Sequence, residues 1–157
     1  MKLSSIPLSN VVEEIFLSFY DKFEEKKIEI QFPDQIQDHQ IIADKFMLIR
    51  VIQNIIQNIL RYAYSKAIIS YRNEGKYLVI RLENDIKSDS KVAIEKVFMR
   101  FYTEVTSRTN TEASGLGLYL SKKLVEKMDG KMDAEVDGNW FILNIQLLKL
   151  DSKTHDF

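Results

Sequence analysis

No cysteine occurs among the 157 residues, which excludes a disulfide framework, a redox thiol and a thiolate metal site. Neither sign of charge is in surplus: 22 Lys and Arg stand against 23 Asp and Glu, a net charge of −1. Nothing therefore recommends nucleic acid or an anionic membrane surface as the main partner. No stretch approaches the roughly 20 apolar residues that cross a bilayer, and Met1 to Asn10 lack the basic start and apolar run of a signal peptide. The chain as it stands reads as soluble. Histidine is scarce; of the two present, His39 falls in a polar loop and His155 in the tail, and both read as ordinary surface residues. Glycine is scarce as well, with five in all, so the place of each is informative.

What is present is an ordinary globular composition, 45% apolar and 29% charged, enough for one domain over residues 1–150 with a frayed tail at 151–157. Pro7 with Ser9 or Asn10 marks a helix start, and Val12, Ile15, Phe16, Phe19 and Phe23 recur at spacings of three and four, which predicts one amphipathic helix. Ile28 to Phe32 alternates like a half-exposed strand that stops at Pro33-Asp34, and Gln40 to Ala43 reads as a second short strand. Asp44 starts a long helix to about Tyr62. Strands at Ala67–Tyr71 and Lys76–Glu83 join across Asn73-Glu74-Gly75, and Lys131–Val136 joins Asn139–Leu148 across Asp137-Gly138.

From Asn84 to Gly115 the only regular piece is Lys91 to Phe101, with Val92, Val97, Phe98 and Phe101 as packing positions. Connections longer than roughly 12 to 15 residues are uncommon in compact domains unless they are lids or disordered, and residues 86–114 read as a lid. A helix from Leu116 to about Met128 ends at Asp129-Gly130, with the glycine as C-cap. Phe98, Phe101, Tyr102 and Trp140 read first as core or lid packing. The predicted architecture is α/β (α+β), a two-layer sandwich in which three helices cover one face of a mixed, mostly antiparallel sheet.

Two groups of residues can carry chemistry. In Ser114-Gly115-Leu116-Gly117-Leu118 two glycines sit where a helix begins. A helix start offers unpaired N–H groups and partial positive charge, and glycine lets a large anion approach the backbone. The passage fits a phosphate cradle or a plain turn before a packed helix. The second group is Asn54, Asn58 and Arg61 on the long helix. At about 100° per residue, Leu48, Val51, Ile52, Ile55, Ile59 and Tyr62 form a buried stripe, and the three polar residues share one flank at its border. That flank fits a solvated edge or a ligand set. A sheltered amide oxygen can ligate Mg²⁺, which keeps several waters and takes most other ligands from phosphates, and an arginine one turn later can meet phosphate bidentately. No carboxylate crowds the flank.

In order along the chain, these features resemble the ATP-binding catalytic domain of bacterial sensor histidine kinases, in the superfamily that includes gyrase and MutL. Asp44 through Ala63 resembles the N box, whose pattern Asn-x-x-x-Asn-Ala-x-Lys-Tyr is met by Asn54, Asn58, Arg61 and Tyr62. Phe98-Met99-Arg100-Phe101-Tyr102 resembles the F box that anchors the lid, and Ser107-Arg108 is in the style usual after that box. Ser114 to Leu118 resembles the second glycine box, and Leu124 to Gly130 continues in the family manner.

The resemblance implies a Bergerat-type ATP-binding fold with ATP and Mg²⁺ as ligands. Asn58 would hold Mg²⁺, Arg61 would meet phosphate, and the Gly115 to Leu118 backbone would cradle the triphosphate. Tyr62, Phe98, Phe101 and Tyr102 would line the nucleotide site. Arg100 and Arg108 either reach the γ-phosphate when the lid closes or are solvated. Phosphoryl transfer to a histidine is implied, on a dimerisation and phosphoacceptor domain outside this chain, with a response regulator downstream. The place implied is the cytoplasmic part of a membrane-anchored sensor. Related ATPases put a glutamate at the position of Asn54 to activate water; a neutral amide is a poor general base, which favours a kinase over an ATPase.

The first glycine box of the family, Asp-x-Gly-x-Gly, is met by Asn84-Asp85-Ile86-Lys87-Ser88, with no glycine. Asn84 stands for the aspartate that accepts the adenine amino proton; a slip of one residue offers Asp85 instead. Ala113 stands at the first glycine of the second box, Ile59 at the small alanine and Arg61 at the lysine. Two further readings stay open: a degenerate nucleotide-binding or docking module without turnover, and a serine kinase of the anti-sigma type.

Overall fold

The computed structural model describes residues 1–34, 39–102 and 116–150. Asp44 begins the long helix as expected. Its Oδ1 accepts from the Met47 amide at 3.1 Å and its Oδ2 from the Lys2 amide at 2.7 Å, a side-chain cap for orphan N–H groups. These two amides, with a smaller opposing effect of burial, hold the Asp44 carboxyl below its ordinary pKa. The capped helix, α3 (Lys45–Tyr62), buries Leu48, Val51, Ile52, Ile55, Ile56, Ile59 and Leu60. It is followed without a loop by strand β4 (Ala63–Glu74).

The main sheet has five strands in the order β2-β4-β5-β7-β6, with β2 (Glu29–Gln31), β5 (Tyr77–Ile86), β6 (Lys131–Asp137) and β7 (Trp140–Leu148). Only β2–β4 is parallel, so the sheet is mixed and mostly antiparallel, as expected. Alternation along the strands puts Ile69, Leu78, Ile80, Leu82, Phe141, Leu143 and Ile145 in one core. Both hairpins turn through two residues with glycine first, Gly75 at φ 62° and Gly138 at φ 58°, the left-handed conformation that such turns favour.

Four expectations are corrected. The amino-terminal helix is two, α1 (Leu8–Leu17) and α2 (Tyr20–Lys26); the Ser18 hydroxyl donates to the Ile15 carbonyl at 2.6 Å and the helix ends there. The apolar spacing survives the break because the Phe16 and Phe23 rings still stack, 5.9 Å between centroids. An additional strand, β1 (Leu3–Pro7), pairs antiparallel with β3 (Gln40–Asp44) in a separate two-stranded ribbon. Helix α4 (Lys91–Tyr102) buries Ile94, Val97 and Phe101, whereas Val92 is 61% exposed on the other side. Trp140 lies on the face of β7 opposite buried Phe141, its ring 5.8 Å from Lys66 Nζ, outside the core.

Helix α5 (Leu116–Lys127) packs on α3, α4 and β6. The residue that reverses the chain after it is Asp129, at φ 60°, rather than Gly130. Gly130 answers a different need: a Cβ there would lie 2.3 Å from the Gln146 carbonyl oxygen. Of the segment read as a lid, residues 103–114 lie outside the described residues.

Candidate functional site

Packing of α3 on α5 brings Asn54 of one sequence-selected group to Gly117 of the other. Asn54, half-buried on α3, donates from Nδ2 to Ser121 Oγ at 3.1 Å and lies 3.4 Å from the Gly117 carbonyl oxygen. Ser121, fully buried on α5, in turn donates from Oγ to the Gly117 carbonyl at 2.9 Å. The polar flank of α3 is thereby fastened to the first turn of α5.

One turn further along α3, Asn58 is buried at 9% exposure, deeper than the border position expected, while Ile56 and Leu60 widen the apolar stripe on the opposite flank. Its Nδ2 makes no hydrogen bond although buried. An amide's orientation follows its hydrogen bonds, so no bond from Nδ2 pins this one. Arg61 is exposed on the last turn of α3, where a cation also complements the helix dipole. Tyr62 is half-buried, and burial, partly opposed by Arg61, raises its hydroxyl pKa.

At the start of α5 no acidic residue occupies the first turn. Among the described residues a Cβ built on Gly117 meets nothing within 4 Å, so none of them requires this glycine for packing. Leu118 is buried in the core and offers only its backbone to a ligand. Ser114, Gly115 and Arg108 lie outside the described residues, as do the side chains of Tyr102 and Leu116, the end residues of α4 and α5.

Asn84 and Asp85 point to opposite faces of β5. Asn84 is buried on the core side at 2% exposure, and its Nδ2 donates to the Asp85 carbonyl at 2.9 Å. The Asp85 carboxylate is engaged on the far face: Oδ1 accepts from the amides of Tyr64, Ser65 and Lys66 at 3.0, 2.8 and 3.0 Å, and Oδ2 accepts from the Ser65 hydroxyl. Partial burial raises its pKa, but the Ser65 hydroxyl and the three amides outweigh that and leave it lowered. Ile86, the next core-facing residue of β5, is 2% exposed and its amide donates to the Asn139 carbonyl at 2.8 Å.

Phe101 is a core residue at 1% exposure with Lys122 Nζ 5.3 Å from its ring, and Phe98 packs half-buried beside it. Arg100 is exposed on α4. His39 is half-buried, its ring 5.5 Å from that of Tyr71. Among the described residues no group of three or more His, Asp or Glu is placed to hold a metal. Ser121 was missed by the sequence reading, although its signal was there: it is the polar member of the buried series Leu118, Ser121, Val125, Met128.

The family described as histidine kinase-, DNA gyrase B- and HSP90-like ATPase matches residues 43–149. The chain belongs to this ATPase family. Among curated relatives it is similar to the sensor histidine kinase YclK of Bacillus subtilis, 31% identical over 90% of this chain and 31% of that protein. It is also similar to the sensor protein VanSC of Enterococcus gallinarum, 28% identical over 95% of this chain and 42% of that protein. The chain thus spans well under half the length of these relatives. The ATPase-family fold is matched by the catalytic domain of histidine kinase ThkA in a nucleotide-free form, with a TM-score of 0.77 at 20% identity over 95% of this chain and 99% of that one. Family and fold class agree with the resemblance drawn from the order of the boxes.

Proposed function

We propose that this chain binds Mg-ATP between α3 and the first turn of α5 and passes the γ-phosphoryl group to a histidine on a phosphoacceptor domain outside it. It would do so as the cytoplasmic catalytic part of a membrane-anchored two-component sensor that signals to a response regulator. One observation carries the reading: the hydrogen-bonded meeting of Asn54 with Gly117 and Ser121, which sets the glycine backbone of α5 against the helix that bears buried Asn58.

The residues fit Mg²⁺. Asn58 is a buried amide whose Nδ2 makes no hydrogen bond that fixes its orientation, so its Oδ1 could turn to an ion, and a single neutral oxygen ligand suits one that takes its other ligands from phosphate and water. When bound, the ion would neutralise phosphate charge. The protein supplies position and electrostatics, as phosphoryl transfer demands. In this reading the N–H groups at the start of α5 face the phosphates, Arg61 meets them from the end of α3, and Arg100 and Arg108 serve the γ-phosphate. Asn84 is the adenine-side acceptor, since the amides of residues 64–66 occupy Asp85. Phe98 and Tyr102 close the nucleotide side, with Phe101 anchoring their helix in the core. Calorimetric titration of the whole chain with Mg-ATP is expected to show binding that Asn58→Ala abolishes; equal binding by that variant would remove Asn58 as the ligand.

Ile86 favours a second reading, a docking module without turnover. In the register that matches Asn84 to the family aspartate, this buried side chain stands where the first glycine would leave room. Supplying the chain and labelled ATP to a phosphoacceptor fragment separates the two. Acid-labile label on the fragment is the outcome expected of a histidine kinase, and nucleotide binding without any label is that of the docking module.

A further inference from the structure

We propose that Ser121 is a positioning residue for the triphosphate, and that Asn54 acts with it as a donor rather than as the remnant of a base. The proposal rests on the ATP-binding reading above and names a part of that site that neither the family's boxes nor the sequence reading assigned.

The geometry is two donors in series ending on one acceptor. Asn54 Nδ2 donates to Ser121 Oγ at 3.1 Å, Ser121 Oγ donates to the Gly117 carbonyl at 2.9 Å, and Nδ2 also lies 3.4 Å from that carbonyl. A serine hydroxyl carries one proton and two lone pairs, so with its proton on Gly117 it meets a partner on α3 only as an acceptor. That partner must donate. Asparagine does; an ionised glutamate or aspartate, which only accepts, would set negative oxygen against the Gly117 carbonyl.

The consequence falls on the first turn of α5. No described residue crowds the Gly117 Cα, while its carbonyl is tied through Ser121 to the helix that carries Asn58. Phosphate binding by backbone N–H groups depends on their being held in place before the ligand arrives. Ser121 is fully buried and so does not touch the ligand; it acts through the backbone it holds.

The test compares a non-hydrolysable Mg-ATP analogue with adenosine, binding each to the whole chain by calorimetry. Ser121→Ala and Asn54→Ala are each expected to weaken the analogue about tenfold, the effect of one lost buried hydrogen bond, with adenosine changed less than twofold. The double variant is expected to be no worse than either single one, and Ser121→Thr, which keeps the hydroxyl, is expected to recover affinity. A general packing role would weaken both ligands equally. That result, or an unchanged analogue affinity in Ser121→Ala, or strictly additive losses, would overturn the proposal while leaving ATP binding intact. Failure of the unaltered chain to bind either ligand would instead defeat the ATP reading, and the positioning role with it.

Discussion

At Asp85 a single carboxylate holds open an irregularity in strand pairing. The β4–β5 register shifts between Ala63 and Ala67, and the amides of the intervening residues Tyr64, Ser65 and Lys66 converge on Asp85 Oδ1. Asp85→Asn keeps the size but removes the charge that draws those donors, and is expected to cost about 1–2 kcal/mol at neutral pH, read from urea denaturation. Acid should act in the same direction. Asp44 and Asp85 both have folded pKa values below their unfolded ones. Their stabilisation is therefore complete above the ordinary carboxylate range of about 4 and is lost as pH falls through it towards the folded values. Urea midpoints should drop over that interval, and Asp85→Asn should flatten part of the drop. The helix that carries Asn54, Asn58 and Arg61 could be read from the sequence because an uninterrupted helix keeps its angular period. Asp85 could not, since its partners exist only once a distant strand has buckled beside it.

Helix α5 and the turn that follows it carry two glycines with opposite reasons for being there. At Gly130 the backbone of β7 comes so close that a Cβ would meet the Gln146 oxygen at 2.3 Å. Gly130→Ala should therefore destabilise by about 1–3 kcal/mol, as overpacking does, visible as a lower thermal midpoint. Gly117 has no described residue within 4 Å of where a Cβ would sit and no positive φ, and alanine is the better helix former by up to about 1 kcal/mol. Gly117→Ala should accordingly keep or raise the thermal midpoint while weakening Mg-ATP in calorimetry; unchanged nucleotide affinity would argue that the space beside it holds no phosphate. The locally encoded elements were the legible ones: α3 with its aspartate cap, the two glycine hairpins, α4 and α5. The α1–α2 break was hidden because Phe16 and Phe23 keep helical spacing across it. Strand β1 was hidden because β3, with which it pairs, is more than thirty residues away, as in the pairing Leu3 with Asp44.

For the molecule as a whole, α3 and α5 cover one face of a sheet whose long strands β4, β5 and β7 lie together. Phe141, fully buried at the centre of that arrangement, should cost about 3–5 kcal/mol on truncation to alanine, with loss of cooperative unfolding as the extreme outcome. Fold class was legible from the run of strand and helix patterns; strand order was not, because nothing local tells β2 to lie parallel to β4 across the intervening α3. That short strand has a practical bearing on where the domain's boundary lies. A fragment trimmed to residues 43–149, the span of the family match, would discard β2 and strip the flank of β4, a strand of 12 residues. It would also discard Phe16, Phe23 and Ile28 from the core. Bare strand flanks invite pairing between chains. Such a fragment should aggregate in light scattering where residues 1–150 stay dispersed, so the amino-terminal 42 residues work as the hem that keeps the sheet from unravelling into its neighbours.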